Sequence, residues 1–120
     1  WSKVSSPYSG SFFGVNVAPN KSVYAYGLKG NIFRSYDLGQ NWQQINVNSE
    51  SGIHDIEFND KGQWFAVGTS GVLINGETLS INKRLDLKGR AALSILDDNQ
   101  LVIVGEGGVE LEIINTKQED

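Results

Sequence analysis

Apolar residues in this chain come in short runs: Phe12–Val15, Val23–Tyr26, Ile32–Phe33, Ile53–Phe58, Trp64–Val67, Val72–Ile74, Leu93–Leu96 and Leu101–Val104. Each run is bounded by Gly, Asn, Asp or Ser, the residues that favour turns. Runs of this length between turn residues predict strands joined by hairpins. No stretch of about eleven residues keeps a helical three-four spacing without a glycine interrupting it. The pattern predicts an all-β chain.

The pattern also repeats. Ala18–Ile32, Asn59–Leu73 and Leu96–Glu110 align without a gap. Each reads as a polar turn, a four-residue apolar strand, a G-x-x-G turn and the start of a further strand. The leading glycines, Gly27, Gly68 and Gly105, are spaced 41 and 37 residues apart. Another apolar strand precedes each polar turn, at Phe13–Val17, His54–Phe58 and Ala91–Ile95. A period near 40 residues built from short strands is that of a β-propeller blade. The spacing predicts four-stranded antiparallel blades over residues 11–46, 53–87 and 90–115. The competing architecture is a meander sandwich whose hairpins look alike by chance.

Within the first blade lies Ser35-Tyr36-Asp37-Leu38-Gly39-Gln40-Asn41-Trp42, which matches S-x-D-x-G-x-x-W, the Asp-box, at all four positions. Its residue types suit a hairpin turn. The Asp37 carboxylate can accept turn N–H groups, Gly39 supplies a conformation other residues resist, and Trp42 covers the hairpin. Ser35, Asp37, Gly39 and Trp42 are therefore expected to be structural, and Asp37 is not expected to be a catalytic acid. Trp1–Val4 lines up with Trp42–Ile45 one repeat earlier, so residues 1–5 read as the end of a preceding blade. In the second blade the box gives way to Ile74–Leu79, expected to form a tighter Asn-Gly hairpin. A three-blade piece would leave apolar blade faces open, one near Phe12, Val15 and Val17 and the other near Leu93, Ile95, Val102 and Val104. Self-association is the expected consequence.

Composition narrows the chemistry. Ten Lys and Arg against 14 Asp and Glu give a net charge of −4, which does not attract nucleic acid or an anionic membrane. No apolar run approaches the roughly 20 residues of a membrane helix. No positively charged start followed by an apolar stretch marks a signal peptide. There is no cysteine and one histidine, His54. Thiolate and multi-histidine metal sites are excluded, and no metal or cofactor is expected. Calcium on oxygen ligands would find its best spot at the Asp97-Asp98-Asn99 turn.

Tyr26–Ser35 running into the Asp-box, with Gly89–Ala92 and Val104–Val109, resembles the repeats of photosystem II stability/assembly factor-like propellers over residues 11 to 115. The resemblance implies a non-enzymatic, extracytoplasmic scaffold whose partner is a protein, such as a membrane-protein assembly or export complex. It also implies a basic patch near the Asp-box, onto which Arg34 alone maps. Sialidases and other secreted propellers share the Asp-box, so a glycoside hydrolase-like propeller and a carbohydrate-binding module are the alternatives. A sialidase needs an arginine cluster, a nucleophile pair and an acid/base carboxylate. This chain has Arg34, Arg84 and Arg90, and Phe33-Arg34-Ser35 lacks the F-R-I-P signature. No catalytic residue is assigned. Propeller partners usually meet the loops between the second and third strands and the loops between blades. Those loops and their flanks nominate Lys29, Glu50, His54, Arg90 and Glu106 as contacts, with Arg34 added by its motif position.

Overall fold

The computed structural model describes residues 10–97 and 99–113. The expected strand at residues 1–5 and the stretch beyond Ile113 lie outside them, as does Asp98 of the proposed calcium turn. Eleven strands form three antiparallel sheets, each following chain order. The first holds β1 (Phe12–Val17), β2 (Val23–Gly27), β3 (Ile32–Ser35) and β4 (Gln43–Ile45). The second holds β5 (Ile53–Phe58), β6 (Trp64–Gly68), β7 (Val72–Asn75) and β8 (Ser80–Lys83). The third holds β9 (Arg90–Asp97), β10 (Gln100–Gly105) and β11 (Gly108–Ile113), three strands among the described residues. These are propeller blades, and the all-β reading of the sequence holds.

The middle blade explains why its strands read as unbroken apolar runs. Every residue of Trp64–Gly68 is buried. Because side chains alternate, Trp64 and Ala66 pack with Tyr24, Tyr26, Ile32, Ile56 and Ile74 toward the first blade. Phe65 and Val67 pack with Leu93, Leu101 and Ile103 toward the third. A sheet covered on both faces loses the alternation a half-exposed strand shows. Each fully buried isoleucine contributes roughly 1.5–3 kcal/mol of burial free energy. The pleat also corrects the expected open face of the last blade. Leu93 and Ile95 pair with Ile103 and Leu101 and turn inward. Val102 and Val104 pair with Leu111 and Val109 on the opposite, exposed face.

The two glycines of each G-x-x-G do different work. The second is left-handed, with φ of 72° at Gly30, 69° at Gly71 and 93° at Gly108. The first is extended where it ends β2 and β6, with φ of −170° at Gly27 and −173° at Gly68. Its constraint is space. A Cβ on Gly68 would collide with the Gly52 carbonyl, and one on Gly105 with the Gly89 carbonyl. The loop entering each blade crosses directly over that glycine, and the N–H of Thr69 or Glu106 seals the crossing on the Gly52 or Gly89 oxygen, each at 3.0 Å.

Polar side chains of the inner strands hold neighbouring blades together. Asn16 on β1 donates to the Ile56 carbonyl of β5 at 2.7 Å. Asp55 on β5 accepts the Leu93 N–H of β9 at 2.9 Å. Burial and the Asp55 charge raise the Glu57 carboxyl and the Tyr26 phenol above their ordinary values.

The second blade's outer hairpin departs from the expected Asn-Gly turn. Four residues, 76–79, link β7 to β8, and the left-handed residue is Leu79 at φ 58°, not Gly76. Asn75 supports the turn instead, its Oδ1 accepting the Glu77 N–H at 3.0 Å. Gly76 is small because the Trp64 indole lies against it.

Candidate functional site

The antiparallel order places the β2–β3 and β6–β7 turns and the loops entering each blade at one end of the fold. The β3–β4 and β7–β8 hairpins lie at the other.

At the hairpin end, Asp37 is surrounded by donors. Its Oδ1 accepts the Ser35 hydroxyl at 2.9 Å and the Asn41 N–H at 2.8 Å, and its Oδ2 accepts the Asn41 side-chain amide at 2.7 Å. The Asn41 side-chain amide, the Asn41 N–H and the Ser35 hydroxyl hold the carboxyl below its ordinary value. Ser35 Oγ in turn accepts the Gly39 N–H at 2.8 Å, and the Trp42 indole donates to the Gly39 carbonyl at 2.9 Å. Gly39 is left-handed at φ 91°. All four box residues bond one another or the turn backbone. Arg34 lies nearby with its guanidinium 4.9 Å over the Tyr36 ring and a 3.3 Å bond to Gln43.

At the opposite end, a cavity of about 380 Å³ opens between the second and third blades. His54, Ser70, Leu87, Ala91 and Glu106 line it, together with Arg90. The structure thus gathers His54, Arg90 and Glu106 at one site, while Lys29 sits on the first blade's turn and Arg34 at the far end. Glu50 is exposed and does not line the cavity.

Each wall has a local cause. His54, the second residue of β5, stacks on Phe13 of the first blade, rings 5.0 Å apart and nearly parallel. Glu106 occupies the β10–β11 turn, and its Oε1 accepts the Gly89 N–H at 2.7 Å, closing a reciprocal pair with the Glu106 N–H on the Gly89 carbonyl. Leu87 is held left-handed at φ 56° yet is 57% exposed. Its loop is braced by Arg84, paired with Asp86 at 2.7 Å, and by the Lys88 N–H on Asp86 at 3.1 Å. That pairing drives the Asp86 carboxyl well below the ordinary range.

Arg90 departs from its nomination as a surface contact. It is 3% exposed. Its guanidinium grips Glu110 through Nε and Nη2, each at 3.1 Å, and reaches back to the Gly71 carbonyl of the second blade at 2.9 Å. Arg84 joins the same carboxylate at 2.9 Å. A guanidinium satisfied in this bidentate way joins blades rather than recruiting a partner. Sequence reasoning did not single out Glu110, because an acidic residue in an exposed strand looks like solvated surface. Its alternation with Val109 and Leu111 points the apolar set inward, the reverse of what the structure shows. Leu87 was also missed as a rim residue, and Phe13 as the ring that backs His54.

No hydrogen bond links His54 to Ser70 or Glu106 among the described residues, so no nucleophile is paired with a base in the cavity. No three His, Asp or Glu side chains converge as metal ligands among the described residues.

No family model and no curated protein sequence matches this chain. Several solved structures share its fold, among them these two. One is YCF48 bound to D1 peptide, at TM-score 0.72 and 16% identity, covering 92% of this chain and 39% of that one. The other is the extracellular domain of the one-component system BT4673 from B. thetaiotaomicron, at TM-score 0.63 and 17% identity, covering 92% of this chain and 15% of that one. This chain therefore spans about two fifths of the first structure's length and less of the second.

Proposed function

We propose that this chain belongs to a non-catalytic propeller scaffold that binds a protein partner through the cavity between its second and third blades. The carrying observation is that cavity: apolar side chains and one clamped carboxylate, assembled from loops of two blades, with no catalytic pairing inside. That a propeller of this fold is solved with a peptide bound supports the reading. The extracellular setting of the second neighbour supports a location outside the cytoplasm. A membrane-protein assembly or export complex is the class of partner such a scaffold serves. The Asp-box acts as a brace at the far end and takes no direct part in binding.

The test is an array of immobilised twelve-residue peptides probed with the labelled full chain, beside a glycan array and a fluorogenic sialoside assay. Saturable peptide binding lost on Leu87→Asp is the expected result. Turnover of the sialoside, or glycan binding with a blank peptide array, overturns the reading.

A further inference from the structure

Resting on that reading of the cavity, we propose that it selects a cationic side chain, lysine or arginine, presented by the partner's peptide segment. Three features of the site converge on that chemistry.

The first is the carboxylate. Glu106 Oε1 is committed to the Gly89 N–H, and Glu106 Oε2 has no protein partner among the described residues. The reciprocal pairing with Gly89 fixes the group at the rim, so little rotamer entropy is lost when a cation meets it. An oriented carboxylate with one free oxygen recognises an ammonium or guanidinium.

The second is charge balance. The cation facing the cavity, Arg90, is already compensated by Glu110 at 3.1 Å and by Glu112 at 3.5 Å. Arg84 is compensated by Asp86 and Glu110. Glu106 is thus the cavity-lining carboxylate that neither arginine compensates, in a chain of net charge −4. An acidic partner residue would meet repulsion here.

The third is shape. Long cationic side chains carry an aliphatic stem that packs on apolar surface while the head stays polar. Leu87 and Ala91 offer that surface beside the carboxylate. Leu87 is presented outward by a loop that ion pairs hold in place. On the other side the His54 ring, backed by the stacked Phe13 ring, lines the cavity and offers a flat face on which a guanidinium plane can lie.

The test is a titration of the 15N-labelled full chain at pH 7.5 with N-acetyl-lysine methylamide, N-acetyl-arginine methylamide and the neutral N-acetyl-norleucine methylamide. Saturable shifts of the Gly89 and Glu106 amides with the cationic probes are expected. Binding at least five-fold weaker for norleucine, and for the cationic probes on Glu106→Gln, is also expected. That substitution keeps an oxygen for the Gly89 N–H, so the loop stays in place. Equal binding of norleucine, no loss on Glu106→Gln, or no shift at these amides overturns the inference. If the cationic probes fail while the peptide array still yields hits abolished by Leu87→Asp, the charge selection falls and the scaffold reading stands. A blank peptide array removes the scaffold reading itself.

Discussion

Arg90→Ala is expected to destabilise the fold by about 3 kcal/mol, because this side chain closes the joint between the second and third blades. The structure sets the magnitude. Truncation takes from the Gly71 carbonyl the guanidinium that reaches it at 2.9 Å but leaves it the Arg84 N–H at 3.2 Å, so this loss is about 1 kcal/mol. It also strands the Glu110 carboxylate, whose side chain is 19% exposed. Removing one partner of a fully buried pair costs about 3–5 kcal/mol. Here Arg84 remains 2.9 Å from Glu110 and solvent reaches the carboxylate, so the cost falls toward the lower end of that range.

Urea unfolding followed by tryptophan fluorescence measures the effect, since Trp64 is buried in the core. In a domain of this size, the expected loss lowers the melting temperature by about 9–15 °C. The double variant Arg90→Met/Glu110→Leu should recover the part due to the stranded carboxylate, because matched apolar groups need no partner, and not the part due to the Gly71 carbonyl. An Arg90→Ala midpoint within about 0.5 kcal/mol of wild type, with unchanged m-value, would refute the argument and return Arg90 to the surface.

The same joint predicts a pH dependence. The Arg90 hydrogen bond holds the folded Glu110 carboxyl below its ordinary 4.5. Its contribution is therefore complete above about pH 4.5 and is lost as pH falls through the lowered folded value, where the unfolded chain binds the extra proton. Acid titration of stability should be shallower for Arg90→Met/Glu110→Leu than for wild type. Gly68→Ala should prevent native folding, since its Cβ meets the Gly52 carbonyl, whereas Gly62→Ala, with nothing near its Cβ, should cost only left-handed strain; circular dichroism and melting separate the two. Asp37→Ala should lower the melting temperature and leave peptide binding intact wherever the fold survives; loss of binding at an unchanged melting temperature would overturn the bracing role. The exposed face of the third blade, with Val109 74% and Leu111 63% accessible, should make the isolated chain self-associate at micromolar concentration; light scattering should show this reduced by Val109→Lys/Leu111→Lys, and a stable monomeric wild type would refute it.

Repeats made the architecture legible because the same geometry recurs three times. A polar turn, an apolar strand and a glycine pair must appear together wherever a loop crosses over a strand end, so the pattern exceeds chance. The reason for the leading glycine was not legible. A one-dimensional pattern marks glycine as a turn former, while at Gly68 and Gly105 it is the oxygen of a residue 16 positions earlier that forbids a side chain. The candidate site was half legible. Loop position brought His54 and Glu106 to one end of the molecule, where both line the cavity, as turn chemistry anchored the loops. Arg90 was misplaced because its partner, Glu110, lies 20 residues away on a strand whose inward face only the pleat reveals. Leu87 was passed over because a leucine among charged residues gives no hint of the left-handed backbone that presents it.

Charge content alone also misleads about the surface field. All three arginines have work inside the molecule: Arg34 lies over Tyr36, Arg84 braces the 84–89 loop, and Arg90 ties two blades. The basic patch implied by the resemblance would have to come from lysines. At the cavity, both nearby arginines are spent on Asp86, Glu110 or Glu112, so the acidic group left at the rim is Glu106. The joint and the site are also the same structure seen from two sides. Arg90 holds the Gly71 carbonyl at the end of the turn that contributes Ser70 to one wall, and Glu110 follows the turn that contributes Glu106 to the other. Replacing the ion pair by Met and Leu should therefore restore part of the stability without restoring the spacing of the walls. Cationic-probe binding in Arg90→Met/Glu110→Leu is expected to remain at least five-fold weaker than wild type even when its urea midpoint has partly recovered. Full recovery of both together would show that the cavity tolerates either joint, and that its selectivity comes from Glu106 and Leu87 without help from the blades beneath them.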